Sequence, residues 1–167
     1  FRMLQKTPGI PAYFIDESRK ETERIIGASI FAKQLLSDLR YHIEGPDPVL
    51  LQGIALQEAI YEESLPRYIS DIDLLVDAVY MESIGTALTR FGFRPMMNYH
   101  SVWQKDGFTI DIHTDPWGAV RIPGRSLVIP DCSLDTTESS IQGYRIPSNE
   151  FLAVHALYHA IKHGFSR

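Results

Sequence analysis

Two aspartates one residue apart interrupt an apolar segment. Asp71 and Asp73 flank Ile72, and the segment continues as Leu74-Leu75-Val76. Because the side chains of a strand alternate between the two faces of a sheet, both carboxylates are expected on the same face. Crowded like charges are costly without a cation between them, and hard oxygen ligands suit magnesium. The spacing therefore predicts a pair of metal-binding carboxylates.

A third carboxylate comes from a second predicted strand, in which Thr109, Asp111 and His113 share one face. If the two strands are neighbours, Asp111 meets the first two aspartates. Three carboxylates can hold two divalent ions about 4 Å apart, which stabilise the attacking and leaving oxygens of an in-line phosphoryl displacement. The same aspartates could instead lie at solvated strand ends and bind nothing. Aspartate is a poor strand former, however, and residues that disfavour their local structure are expected at functional sites.

Gly53 lies between a short apolar run and a predicted helix. A glycine there lets the backbone approach a ligand closely, and the N-terminus of the following helix offers free N–H groups to phosphate oxygens. An ordinary strand-to-helix turn explains the same residue equally well.

The last predicted helix carries a basic stripe formed by His155, His159, Lys162 and His163. Spacings of three and four residues put members of this set on one side of the helix. The stripe could face a phosphate or a metal, and Lys162 is the better candidate for phosphate. His113 could orient a carboxylate or an acceptor through a hydrogen bond, although an exposed strand histidine is an equal alternative.

Apolar periodicity predicts the elements that must position these residues. Helices are expected over residues 16–43, 54–63, 80–91 and 150–163, and strands over residues 49–52, 70–77, 101–104, 108–113, 127–129 and 141–146. Asp16 or Ser18 could cap the first helix, and Lys105-Asp106-Gly107 supplies a hairpin turn. This order predicts a mixed α/β (α+β) fold. We expect an irregular leader over residues 1–15 and one domain over residues 16–167, truncated at its C-terminus.

Composition limits the classes of function. The chain has 167 residues, a formal net charge of −5 and one cysteine, Cys132. No apolar run approaches the roughly 18 residues of a membrane span, so no membrane association is expected. A single cysteine fits a reducing compartment, which favours a cytoplasmic location. The negative charge disfavours nucleic acid as a partner, and the oligomeric state cannot be read from the sequence.

The ordered motifs resemble a known enzyme superfamily. Leu50-Leu51-Gln52-Gly53, the run from Ser70 to Val76, and Ile110-Asp111-Ile112-His113 are similar to motifs of the nucleotidyltransferase superfamily, which includes DNA polymerase beta and the aminoglycoside nucleotidyltransferases. The resemblance is greatest to an uncharacterised bacterial nucleotidyltransferase-like branch and covers roughly residues 48–165. It implies a mixed β-sheet flanked by helices.

The resemblance also implies roles for individual residues. Asp71, Asp73 and Asp111 would be catalytic and would bind Mg²⁺, with Mn²⁺ as an alternative, and Asp111 would help to activate the acceptor hydroxyl. The residues implied to contact the nucleotide are Gln52, Gly53, Arg67, Ser70 and Lys162. Apart from the resemblance, His113 and His159 are candidates either for the acceptor itself or for orienting it. The implied reaction transfers a nucleoside monophosphate from a nucleoside triphosphate such as ATP to an unidentified acceptor hydroxyl.

Two alternatives remain open. One is a catalytically silent nucleotidyltransferase-like module that binds a nucleotide or a partner without turnover, against which the intact Asp71, Asp73 and Asp111 argue. The other is a glycosyltransferase that uses Asp71-Ile72-Asp73 with manganese to hold a nucleotide sugar. That class needs several β-α units before its Asp-x-Asp motif, whereas only one predicted strand and two predicted helices precede it here.

Overall fold

The computed structural model of the chain describes residues 9, 11–61, 67–97, 99–117 and 132–162, without the side chain of His100. Four α-helices and seven strands occur in this part of the chain. The helices are α1 (Ala12–Arg40), α2 (Gln52–Ala59), α3 (Met81–Arg90) and α4 (Asn149–Lys162). The strands are β1 (Val49–Leu51), β2 (Asp71–Leu75), β3 (Arg94–Met96), β4 (Tyr99–Lys105), β5 (Phe108–His113), β6 (Thr136–Glu138) and β7 (Arg145–Pro147).

All seven strands form one mixed sheet in the order β3-β4-β5-β2-β1-β7-β6. Strands β2 and β5 are parallel, as are β1 and β7, and the other neighbours are antiparallel. Between the end of β2 at Leu75 and the start of β5 at Phe108 lie 32 residues, which include α3 and the β3-β4 segment. The predicted mixed sheet flanked by helices is therefore confirmed.

One face of the sheet carries the main hydrophobic core. Ile72 and Leu74 of β2 point to this face, where both are fully buried. Helices α1 and α3 pack against it through Leu36, Leu39 and Leu88, which are also fully buried. Removing apolar side chains from water at this face is the main stabilising contribution to the fold.

The opposite face is covered in part by α4. Five buried residues form a second, smaller cluster here, namely Leu51, Leu75, Trp117, Phe151 and Tyr158. Leu51 is paired with Asp73 across β1 and β2, so the apolar cluster and the carboxylates share this face. Helix α4 therefore lies beside the acidic residues.

The predicted hairpin is confirmed, with β4 antiparallel to β5 and Lys105 paired with Phe108. Asp106 and Gly107 have φ angles of 50° and 82°. Two successive residues with positive φ match the twist of the flanking strands, and aspartate followed by glycine is favoured there. The turn fixes the register that determines which face Asp111 occupies.

Helix α1 begins earlier than predicted. It starts at Ala12 rather than at residue 16, so the irregular leader expected over residues 1–15 is wrong for residues 12–15; residues 1–8 and 10 lie outside the described part. Pro11 precedes the helix with a φ of −58°, and its carbonyl accepts a hydrogen bond from the Phe14 N–H at 3.0 Å. Proline favours a helix start because its φ is fixed near the helical value and it has no N–H to satisfy. Among the described helices, α1 included, none is both long and apolar enough to cross a membrane.

The segment before α4 also differs from the prediction. The strand expected over residues 141–146 is shorter and later, Arg145–Pro147, because Gly143 adopts a φ of 79° in a turn. Strand β6, Thr136–Glu138, was not predicted in this polar region. The strand expected over residues 127–129 and the helix end at His163 lie outside the described residues.

Candidate functional site

The register of the two central parallel strands brings two of the predicted carboxylates together. Asp73 of β2 is paired directly with Asp111 of β5. The same register pairs Asp71 with Thr109 and Leu75 with His113. Residues paired in this way project from the same face of a sheet, so Asp73, Asp111 and His113 converge on the face beside α4.

Asp73 is the most buried member of this group, with 5% of the residue exposed. Burial raises the pKa of its carboxyl above the usual value, since desolvation disfavours the charged form. The hydrogen bond and charge of His113 oppose this shift in pKa, whereas the charges of Asp71 and Asp111 add to it. The carboxylate is thus held where its negative charge is costly without a cation.

His113 lies between the two carboxylates. Its Nε2 donates a hydrogen bond to Asp73 Oδ1 at 2.9 Å and lies 3.7 Å from Asp111 Oδ2. Burial by itself would lower the pKa of the imidazole, but the hydrogen bond to Asp73 and the charges of both aspartates outweigh burial and raise it. The two aspartates therefore favour protonation of the imidazole, against the effect of burial.

The donor atoms of these residues fit a divalent cation. One ligand atom from each of Asp73, Asp111 and His113 can be chosen so that all three lie within 4.8 Å of one another. Asp111 Oδ1 is buried and has no hydrogen-bond partner among the described residues. Buried polar atoms are normally satisfied, so an orphaned carboxylate oxygen in such a group is the kind of atom that a metal ion completes.

Gln52 contacts the site in a way that the sequence did not predict. Its Nε2 donates to Asp73 Oδ1 at 2.9 Å, so this oxygen accepts hydrogen bonds from both Gln52 and His113. Gln52 also adopts a φ of 50°, a left-handed conformation that is unfavourable for a residue with a side chain. The backbone is therefore strained at Gln52, where β1 passes into α2, and the side-chain amide of this residue contacts the Asp73 carboxylate.

The glycine beside Gln52 has space around it. A Cβ added to Gly53 would meet no atom within 4 Å, and the residue is half-buried at the start of α2. The backbone there is surrounded by open space, and the residue with a positive φ at this turn is Gln52 rather than Gly53. Ile54, the next residue, is fully buried in the main core and does not line the open space.

Asp71 and Ser70 lie at the exposed start of β2. The Ser70 hydroxyl donates to Asp71 Oδ1 at 3.1 Å. Asp71 shares a face with Asp73 and is close enough for its charge to raise the Asp73 pKa. It is not a member of the Asp73, Asp111 and His113 group. Its carboxylate is therefore set towards solvent beside Asp73 and Asp111.

Three predicted residues lie outside this group, namely Lys162 and His159 on α4 and Arg67 before β2. Lys162, at the end of α4, is near enough to lower the His113 pKa through its charge, and His159 is half-buried on the same helix. Arg67 is exposed, and its backbone N–H donates to the Gln57 side chain. The structure thus brings Lys162 towards the site and gives no contact between Arg67 and the carboxylates.

His155 is a packing residue rather than part of a basic stripe. Its Nε2 donates to the Pro116 carbonyl at 2.8 Å, and its ring stacks on Phe151 with the centroids 5.6 Å apart. Burial lowers its pKa, so the neutral ring is favoured. The helical spacing predicted which side of α4 carries His155. It could not reveal that the Trp117 ring packs against this imidazole. His163 lies outside the described residues.

Comparison with known proteins gives a family assignment. The profile of a family described as "Uncharacterised nucleotidyltransferase" matches residues 4–167, which is nearly the whole chain. Searches of curated proteins and of solved structures found no match. The match includes the Asp-Ile-Asp segment, the Asp111 strand and the helix that packs beside them. The chain therefore belongs to the uncharacterised nucleotidyltransferase family.

Proposed function

We propose that this chain transfers a nucleoside monophosphate from a nucleoside triphosphate to an acceptor hydroxyl, with a divalent metal ion held by Asp73 and Asp111. The observation that carries the proposal is the pairing of these two aspartates on neighbouring parallel strands. Family membership supports the reaction class, and the orphaned Asp111 Oδ1 supports a bound cation.

In the proposed reaction, the acceptor oxygen forms a bond to the α-phosphorus while the bond from that phosphorus to pyrophosphate breaks. Asp111 is proposed to accept the hydroxyl proton. A divalent ion bound by the aspartates would supply charge neutralisation for the phosphate oxygens, and Mg²⁺ is the ion that the sequence favours. Asp71 is proposed as a further ligand, because it lies on the same face as Asp73 and Asp111.

The triphosphate is proposed to occupy the space beside Gly53. The backbone there admits a close ligand, and the N-terminus of α2 offers N–H groups to phosphate oxygens. Lys162 is proposed to bind a phosphate from the opposite side, and Ser70 and Arg67 to contact the outer phosphates. His159, on the same helix as Lys162, is proposed to orient the acceptor.

The test is a transfer assay that detects both products. Purified protein is incubated with each α-labelled nucleoside triphosphate, Mg²⁺ or Mn²⁺, and pools of small hydroxylated molecules and proteins, and both pyrophosphate release and label transfer are measured. We expect turnover that requires the metal and that Asp73→Asn abolishes. Asp106→Asn is the matched control, because Asp106 lies in the hairpin turn with a left-handed φ that asparagine tolerates.

The outcome has three clear readings. Metal-dependent turnover in the wild type and the control, but not in Asp73→Asn, supports the proposal. Binding of the triphosphate without turnover against any acceptor favours the catalytically silent module. Equal activity in wild type and Asp73→Asn overturns the assigned site.

A further inference from the structure

We propose that His113 is itself a metal ligand, so that the site has one nitrogen and two carboxylate donors and prefers a divalent transition ion to Mg²⁺. The inference rests on the proposed function, because it concerns the same metal site. It changes which ion the site selects.

The distances suit direct ligation. His113 Nε2 lies 2.9 Å from Asp73 Oδ1 and 3.7 Å from Asp111 Oδ2. Two ligands that are each about 2.1 Å from an ion are separated by roughly 3 Å when adjacent and by about 4.2 Å when opposite in an octahedral shell. The 2.9 Å separation is close to the value for adjacent ligands, the 3.7 Å separation lies between the two values, and all three donor atoms lie within 4.8 Å of one another, so one ion can contact all three after small side-chain adjustments.

The imidazole does not satisfy both carboxylates by itself. Within the described residues, His113 is the only basic side chain within 4.0 Å of Asp73 or Asp111. Its side chain is 20% exposed and the Asp73 side chain 8%, so these two groups face each other away from bulk water. Asp111 Oδ1 nevertheless stays without a partner, which shows that the imidazole alone does not satisfy the group.

Backbone register fixes the three donors in place. His113 follows Asp111 by two residues on β5 and pairs with Leu75, which follows Asp73 by two residues on β2. All these residues therefore share one face through the period of the strand rather than through a flexible loop. Gln52 holds Asp73 Oδ1 with its amide, which orients that carboxylate towards His113.

The donor set determines the preferred ion. Mg²⁺ takes oxygen ligands and retains water, whereas imidazole nitrogen favours first-row transition ions such as Fe²⁺, Ni²⁺ and Zn²⁺. Mn²⁺, which also suits the two carboxylates, serves as the paramagnetic probe. Ligation through Nε2 requires the ring proton to lie on Nδ1, so the hydrogen bond that Nε2 now donates to Asp73 is exchanged for the metal bond. We expect Mn²⁺ to bind at least about tenfold more tightly than Mg²⁺, and His113→Gln to remove most of this preference.

Electron spin-echo modulation of bound Mn²⁺ tests the ligation directly, because it detects a coordinated nitrogen nucleus without any need for activity. The full chain is loaded with Mn²⁺, its affinities for Mn²⁺ and Mg²⁺ are measured by titration calorimetry, and the nitrogen modulation is recorded. The variant is His113→Gln, which retains a hydrogen-bond donor of similar length. The control is His42→Gln, because His42 follows α1 and its ring contacts Phe91, away from the carboxylates.

Nitrogen modulation in the wild type and in His42→Gln that disappears in His113→Gln, with at least about a tenfold loss of Mn²⁺ affinity, supports the proposal. Tight Mn²⁺ binding without modulation, or modulation that persists in His113→Gln, overturns it and leaves the proposed function standing. Failure of the wild type to bind Mn²⁺ or Mg²⁺, alone or with a triphosphate, overturns both. If His113→Gln does not fold, histidine labelled with ¹⁵N in the wild type still tests for a histidine ligand, since unchanged modulation overturns the proposal.

Discussion

The two faces of strand β2 have opposite characters although they are built from alternate residues of one short segment. Ile72 and Leu74 are fully buried in the main core, where they face other apolar side chains. Asp73 is almost as buried, at 5% exposure, but it faces Asp111 and His113. The apolar face is what a stable sheet requires, whereas the acidic face is costly for folding, a cost that the proposed metal site accounts for.

The largest expected effect comes from changing Asp73 on the acidic face. Asp73→Asn should reduce nucleotidyl transfer by about 10³-fold or more, since metal ions contribute several kcal/mol of charge stabilisation. The fold should be preserved, because the asparagine Oδ1 can accept the hydrogen bonds from Gln52 and His113. Steady-state kinetics and a thermal melt measure the two effects. A variant that loses activity only because it unfolds would contradict this separation.

The neighbouring residue on the other face should show the reverse behaviour. Leu74→Ala is expected to lower the free energy of unfolding by about 2–5 kcal/mol, because it leaves a cavity in the main core. Metal affinity of the folded fraction should not change. Urea unfolding gives the first value, and calorimetry under conditions where the variant is folded gives the second. A large loss of metal affinity in the folded variant would show that the two faces are not independent.

A smaller effect is expected at Gln52, whose backbone is strained and whose side chain donates a hydrogen bond to Asp73. Gln52→Asn shortens the side chain by one methylene, so the hydrogen bond to Asp73 Oδ1 should be lost and metal affinity should fall by about 10–100-fold. Stability should not fall, because asparagine tolerates the left-handed conformation better than glutamine. Calorimetric titration with Mn²⁺ and a thermal melt measure both. Gln142→Asn, in an exposed turn, is the matched control, and equal Mn²⁺ affinity of the two variants would refute a positioning role for Gln52.

The smallest expected effect is at Gly53. Gly53→Ala should raise the free energy of unfolding by roughly 0.5–1 kcal/mol, since alanine is favoured over glycine in a helix and an added Cβ meets no atom. Triphosphate affinity should nevertheless decrease if the ligand occupies that space. Chemical denaturation and nucleotide titration provide the two values. Unchanged nucleotide affinity would place the triphosphate elsewhere.

Local pattern was sufficient to predict much of this arrangement. The apolar run around Asp71 and Asp73 predicted β2, and the turn at Asp106 and Gly107 predicted the hairpin. Alternation along each strand predicted which residues share a face. The pairing of β2 with β5 was assumed rather than predicted. Strands far apart in the chain pair through tertiary packing that neither segment encodes alone.

Other features depend on contacts that the sequence pattern does not reveal. Strand β6 has no apolar alternation because it lies at the edge of the sheet, so its Thr-Thr-Glu sequence resembled a loop. The left-handed residue between β1 and α2 is Gln52 rather than the adjacent Gly53, which only the backbone geometry shows. His155 was placed correctly on a helix, but its burial depends on Trp117 from a distant segment.

The most direct measurement is the thermal shift of the wild-type chain with each nucleoside triphosphate, with and without a divalent metal, beside Asp111→Asn. A ligand that binds only the native state raises its stability with the logarithm of ligand concentration over Kd. The pairing of Asp73 with Asp111 predicts a metal-dependent increase in Tm with at least one triphosphate, and no such increase in Asp111→Asn. A shift of the same size in the variant, or no shift of the wild type with any triphosphate and metal, would contradict a metal-dependent nucleotide site at these two aspartates.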